Sequence, residues 1–189
     1  MNNNLTWKIR KLRRNEIAKI WTLDRGEVVE NTYSLQNGNL VLQPKHYEIL
    51  DWPAGQIEKY TPILIDCLER GGTFYGMFQD KELIGVSVLD NKYIGRNKDQ
   101  LQLKFMYVSR SYRRHGIGKK LFKKTVETAN KMKAKKLYVS ASPSENTINF
   151  YVNLGCRVTQ DINQELFELE PKDIHLEYVI PYLYSAIRS

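Results

Sequence analysis

Hydrophobic and polar positions change period several times along the chain, and each change marks an element. Leu5–Leu12 alternate enough for a first strand, and Asn15 can then cap a helix that gathers Ile17, Ile20, Trp21 and Leu23 on one side. Residues 32–43, TYSLQNGNLVLQ, place Asn37-Gly38 between two strand-like runs, a strong hairpin signal because both turn residues tolerate positive φ. Pro53 opens a helix running to about Arg70, which Gly71-Gly72 closes. Thr73–Phe78 and Leu83–Leu89 read as an antiparallel pair around Asp80-Lys81, and Leu101–Val108 as a further strand.

A helix follows from near Gly116, with Ile117, Leu121, Phe122, Val126 and Ala129 as its apolar stripe. Lys136–Ala141 is strand-like. Ser142, Pro143 and Glu145 predict a capped helix start, with Ser142 as N-cap, and Gly155 ends that helix. Arg157–Gln160 and Ile174–Ile180 read as final strands. The order is mixed α/β without repeat or linker, so residues 1–189 form one expected domain.

Composition adds exclusions. The 189 residues are 42% hydrophobic and 26% charged, which excludes collagen-like and largely disordered chains. The start, MNNNLTWKIR, lacks the apolar stretch of a signal peptide, and no run approaches the ~18 apolar residues of a membrane helix. Cys67 and Cys156 are too few for a disulfide scaffold or a cysteine zinc site. A soluble, cytoplasmic protein without membrane association is expected.

Charge is the unusual feature. The net charge is +8, which suggests a polyanionic partner. Between Lys104 and Lys136 stand twelve Lys or Arg residues against Glu127 alone, whereas residues 22–70 hold eight acids and four bases. Nucleic acid is disfavoured, because Phe122 is the only aromatic between Gly116 and Lys136 and belongs to the apolar stripe.

The basic centre surrounds Arg113-Arg114-His115-Gly116-Ile117-Gly118, a loop between the strand ending at Val108 and a helix. Glycines let backbone approach a ligand, and free helix N–H groups attract an anion. Lys119, Lys120, Lys123 and Lys124 in the first helical turns oppose the helix dipole unless a polyphosphate is bound. The loop lacks a Gly-Lys-Ser/Thr ending and the three glycines of a dinucleotide fingerprint.

Arg113-x-x-Gly116-x-Gly118, together with the later Ser144-to-Cys156 stretch SENTINFYVNLGC, resembles the two signatures of the GNAT superfamily of acyl-CoA-dependent N-acyltransferases. The resemblance spans roughly residues 73–180. It implies an α/β fold with a central, mostly antiparallel, splayed sheet flanked by helices. Residues 101–160 would form the cofactor-binding core, and residues 22–70 acceptor-side helices and a hairpin.

The resemblance further implies acetyl-CoA as co-substrate and no metal. The pyrophosphate would lie on backbone N–H groups from Arg114 through His115, Gly116, Ile117 and Gly118 to Lys119, in the loop opened by Arg113. Backbone of Met106, Tyr107 and Val108 would hold the pantetheine arm and polarise the thioester carbonyl. Tyr151 matches the family's general acid, and Ser144, seven residues earlier, stands where many relatives place an Asn; Asn146 is nearby.

No Glu lies in the strands LQLKFMYV and KKLYVSA, where relatives often carry the base, and Gln102 stands where some have an acid. Glu27 and Glu30 of the first helical region, His175, a water chain or bulk solvent remain open for that role. Acids and aromatics in residues 21–60 suit a cationic small-molecule amine, with Trp21, Glu27, Glu30 and Trp52 as acceptor contacts. A peptide or protein N-acetyltransferase and a non-catalytic coenzyme A sensor are the alternatives; a monomer or homodimer is expected.

Overall fold

In the computed structural model, residues 7–181 are described; the polar stretch before Trp7 and the expected strand start at Leu5 lie outside them. Nine strands, four α-helices and two short 3-10 segments follow in the order β1 (Trp7–Lys11), a 3-10 helix (Arg14–Thr22), β2 (Glu27–Gln36), β3 (Asn39–Ile49), α1 (Gln56–Glu69), β4 (Thr73–Gln79), β5 (Glu82–Ile94) and β6 (Gln100–Val108). A 3-10 turn (Arg110–Tyr112), α2 (Ile117–Lys131), β7 (Lys136–Ala141), α3 (Glu145–Asn153), β8 (Arg157–Val158), α4 (Gln164–Leu169) and β9 (Ile174–Val179) complete the described residues.

Seven strands form one sheet in the order β1-β4-β5-β6-β7-β9-β8, and β2 pairs with β3 in a separate hairpin. Among the described residues only β6 and β7 run parallel. This is the expected mixed α/β fold with a mostly antiparallel sheet flanked by helices. Side chains alternate across the sheet. On one face Ile17, Ile20, Leu64 and Cys67 of the first helices pack on Phe74, Val86 and Val88. On the other, α2 and α3 bring Leu121, Phe122, Ile148 and Tyr151 against Leu103, Tyr75 and their neighbours.

Two features of β6 shape the site. Val88 pairs with Phe105 but Leu89 with Leu103, so Lys104 is an extra residue, a bulge. The bulge puts Phe105 and Tyr107 against the first helices and Met106 toward α2. Pairing with β7 stops at Leu103 opposite Val139, although β6 continues to Val108 and β7 to Ala141. The two strands therefore part, as a splayed sheet requires.

Several boundaries differ from the sequence reading. The first helix is a 3-10 segment from Arg14, with Asn15 inside it; at three residues per turn Ile17 and Ile20 fall on one side and are buried. Glu27 and Glu30 sit on strand β2, not in a helical region. The hairpin turn is Asn37-Gly38 as read, with φ of 51° and 80°, but its strands reach Glu27 and Ile49. α1 starts at Gln56, three residues beyond Pro53, because Gly55 in a left-handed conformation sets its entry.

Ser144, not Ser142, caps α3, since its Oγ accepts from the Thr147 N–H; Ser142 is still in the loop. The strand expected over Arg157–Gln160 is only two residues long. The short helix α4 was not anticipated; Asn163 caps it by accepting from the Leu166 N–H.

Candidate functional site

The parting of β6 from β7 opens a cavity of about 1010 Å³. Its walls come from the loop before α2, the end of β6, α3, α1, α4 and the segment entering β9. Of the residues expected from sequence, Met106, Tyr107, Val108, Arg113, Arg114, Gly116, Ile117, Gly118, Lys119, Asn146, Tyr151 and Glu27 line it.

At the loop end, Arg114 and Gly116 adopt left-handed backbone at φ 63° and 77°, and α2 begins immediately. No backbone N–H from Arg114 through Lys119 donates to another described residue; the first helix-closing bond is Lys120 N–H to Gly116 C=O, 3.0 Å. These free donors and the dipole end make an anion cradle. A Cβ built on Gly116 would meet nothing within 4 Å, so that position leaves room for a ligand. Gly118 serves packing instead: a Cβ there would stand 3.0 Å from the Phe150 ring.

The loop's other side chains are braces. Arg113 donates from Nε to the Val108 carbonyl at 3.0 Å and from Nη1 to the Gly26 carbonyl at 2.9 Å, and burial lowers its pKa. His115 does not line the cavity; its Nδ1 lies 2.7 Å from the Arg113 carbonyl and its ring meets Trp7 edge to face. Ile117 is buried, anchoring the helix start.

Tyr151 lies on α3 with its side chain nearly buried but bordering the cavity. Burial, then Cys156, Tyr107 and Asp173, raise its pKa far above that of an ordinary phenol. It is a protonated donor at neutral pH, as an unperturbed phenol also is.

α3 is held by the hairpin. Tyr33 N–H donates to the Pro143 carbonyl at 2.8 Å, Tyr33 OH to Asn149 Oδ1 at 2.9 Å, and Asn31 Nδ2 to Glu145 Oε2 at 2.8 Å. Glu27 Oε1 accepts from Asn146 Nδ2 at 3.1 Å and from Ser144 Oγ at 3.3 Å. Ser144 is fully buried behind the wall, occupied as helix cap.

Three expected acceptor contacts are placed elsewhere. Trp21 and Trp52 meet edge to face 5.0 Å apart and pack on Phe105, beneath the cavity. Trp52 Nε1 donates to the Leu23 carbonyl. Glu30 is exposed on the hairpin, 2.8 Å from His46 Nδ1. His175 is buried with Nδ1 2.7 Å from the Tyr138 hydroxyl, and it too is absent from the cavity wall.

The cavity gains residues that sequence reasoning missed. Tyr60 and Lys59 of α1 reach across to Glu170 at the end of α4, Tyr60 by its hydroxyl and Lys59 by Nζ at 2.9 Å. Burial would raise the Glu170 pKa, but these two donors hold it below the usual carboxylate range. Asp173 Oδ2 accepts from Ser140 Oγ at 3.0 Å. Burial pushes the Asp173 carboxyl up to about 6 in spite of that bond. No spacing rule connects these positions, which come from α1, β7 and the segment between α4 and β9. The only local signal was Asp173 immediately before an apolar strand.

The model of the Acetyltransferase (GNAT) family matches residues 37–156. Among solved structures, nourseothricin acetyltransferase superposes with TM-score 0.71 at 16% identity, covering 93% of this chain and 99% of its own. A Bacillus anthracis str. Ames protein assigned as a streptothricin acetyltransferase, solved with acetyl coenzyme A, gives 0.67 at 16%, covering 95% and 100%. The PaiA N-acetyltransferase of Thermoplasma acidophilum, solved with coenzyme A, gives 0.61 at 19%, covering 92% and 99%.

Proposed function

The chain belongs to the GNAT family of acetyltransferases, and on that premise we propose that it transfers an acetyl group from acetyl-CoA to a primary amine of a small cationic molecule, by direct attack of the amine on the thioester. The observation that carries this reading is the continuity of one cavity from the free N–H groups of Arg114–Lys119, past Met106–Val108 and Tyr151, to Glu27, Glu170 and Asp173. The residues at one end fit the pyrophosphate of coenzyme A, and carboxylates at the other suit an ammonium group.

Each part has a stated role. The loop N–H groups and Lys119 bind the phosphates, and Arg113 holds the loop to β6 through the Val108 carbonyl. The β6 edge left free beyond Leu103 aligns the pantetheine arm, and preorganised N–H groups there stabilise the developing oxyanion, worth several kcal/mol in comparable sites. Tyr151, protonated at neutral pH as any phenol is, gives a proton to the departing sulfur.

A small acceptor is favoured over a protein substrate because Ile49 of the hairpin, Tyr60 and Ile63 of α1, and Leu166 and Leu169 of α4 all wall the acceptor end. Two of the superposing proteins are named for nourseothricin and streptothricin, so antibiotics of that kind belong in the first acceptor panel. The test is release of free thiol from acetyl-CoA across a panel of amines, for the native chain and Tyr151→Phe. The substitution should lower kcat by on the order of 10²-fold with little change in coenzyme A affinity. Unchanged turnover would remove Tyr151 from catalysis, and tight coenzyme A binding without turnover of any amine would favour a sensor.

A further inference from the structure

We propose that Asp173 is the general base that takes the proton from the incoming ammonium group, with Ser140 as the residue that positions it. This inference rests on the acetyltransferase reading above and deepens it at the acceptor end.

The placement comes from the topology. β9 pairs antiparallel with β7, with Ile174 opposite Ala141 and His175 opposite Ser140. β7 is the strand that parts from β6, so the residue just before β9 stands beside the open wedge where the thioester would lie. Ser140 Oγ holds one oxygen of Asp173 at 3.0 Å, and the backbone N–H of Asp173 is fixed on the Glu170 carbonyl at 3.1 Å. No protein donor in the described residues takes the other oxygen, Oδ1.

The competing carboxylates are more heavily engaged: Glu27 Oε1 accepts from both Asn146 and Ser144, and Glu170 Oε1 from both Tyr60 and the Lys59 cation, whereas Asp173 has the Ser140 hydroxyl alone. His175 faces Tyr138, outside the cavity wall. The charged and titratable groups that face Asp173 are Lys59 and Tyr60 of α1, Glu170 after α4, Tyr107 of β6 and Tyr151 of α3, beside the neutral Ser140 hydroxyl of β7. Of these Lys59 is the only cation, and it is already paired with Glu170 at 2.9 Å. Burial therefore outweighs the opposing Ser140 hydrogen bond, with the Glu170 charge adding to it, and the carboxyl pKa of about 6 leaves it ionised at neutral pH yet a better base than a solvated carboxylate.

The proton count closes. Asp173 carboxylate takes one proton from R–NH3+, leaving a neutral amine whose lone pair forms the new C–N bond as the C–S bond breaks. Tyr151 hydroxyl protonates the sulfur to give free coenzyme A thiol and regains a proton from the nitrogen of the adduct. Asp173 then returns its proton to solvent.

The experiment is the pH dependence of kcat/KM for thiol release, with acetyl-CoA and an alkylammonium acceptor found in the panel above, or diaminobutane as first probe. The native enzyme should show an acidic limb with an apparent pKa near 6 and a plateau above it. Asp173→Asn should lose on the order of 10²-fold at pH 7 while binding coenzyme A normally, and its rate should climb about tenfold per pH unit toward the amine's own pKa. Asp173→Glu should restore part of the rate and the limb. An Asp173→Asn profile parallel to the native one, or identical with it, would overturn the assignment, because a structural role cannot remove the limb. If the native chain acetylates no amine, the acetyltransfer reading itself falls and this inference falls with it. A native limb that survives in Asp173→Asn leaves acetyltransfer intact and rejects the base alone.

Discussion

At the scale of single residues, the site is a set of side chains whose surroundings push them in opposite directions. Tyr151 is kept protonated by burial, whereas Asp173 is raised only part of the way and still ionises near neutrality. Holding that charge in the cavity works against folding. The native carboxyl binds its proton more tightly than the unfolded one, whose pKa is near 3.8. The native state is thus favoured at low pH, and this contribution is lost as pH rises from about 4 to about 6. Asp173→Asn removes the ionisation, so it should stabilise the protein by about 3 kcal/mol at pH 7 and by little at pH 4. Urea unfolding at the two pH values checks this; equal gains at both would mean that the carboxylate is not held at a cost.

At the scale of elements, the proposed phosphate site is concentrated at the beginning of α2, and one glycine is central to it. Gly116 has φ 77° and open space around its missing Cβ. A glutamate there would place a carboxylate over the free N–H groups and occupy the position a phosphate needs, besides adding about 1 kcal/mol of left-handed strain. Gly116→Glu should weaken coenzyme A binding by at least about tenfold by calorimetry, with the fold retained. Native affinity in that variant would sink the phosphate assignment. α3 shows the opposite division of labour: Ser144 caps the helix and is tied to Glu27, so the position read as a cofactor contact acts in holding the helix that carries Tyr151.

At the scale of the whole molecule, a buried charge cluster joins the parts that form the cavity. Asp90 on β5 binds Arg70 at the end of α1 at 3.1 Å and Lys104, the bulged residue of β6, at 3.0 Å. Burial would raise the Asp90 pKa, but these cations and the Lys92 N–H hold it low. Asp90→Ala would leave Lys104, only 14% exposed, without its partner. Breaking such a pair from one side typically costs about 3 kcal/mol or more, so chemical unfolding should show a loss of that size. A loss below about 1 kcal/mol would mean that Lys104 finds water when its partner is removed.

The sequence by itself determined most of the order of strands and helices, the turn at Asn37-Gly38, the glycine loop before α2, and the tyrosine near the end of α3. These features are local: period, turn chemistry and capping act between residues close in the chain. It erred where only one helical turn of evidence existed, as in choosing Ser142 over Ser144 for the cap and in missing α4. It also put Trp21 and Trp52 in the acceptor pocket, although an acid-and-aromatic composition does not say which rings form the floor under Phe105. The proposed acceptor end is visible only in the tertiary structure. Lys59, Tyr60, Ser140, Glu170 and Asp173 are separated by more than a hundred residues of chain at the extremes. They meet because β6 and β7 diverge after Leu103 and Val139, and because β9 returns beside β7. The basic centre was legible as an attraction for an anion; what the anion's reaction partner would meet depended on where strands part.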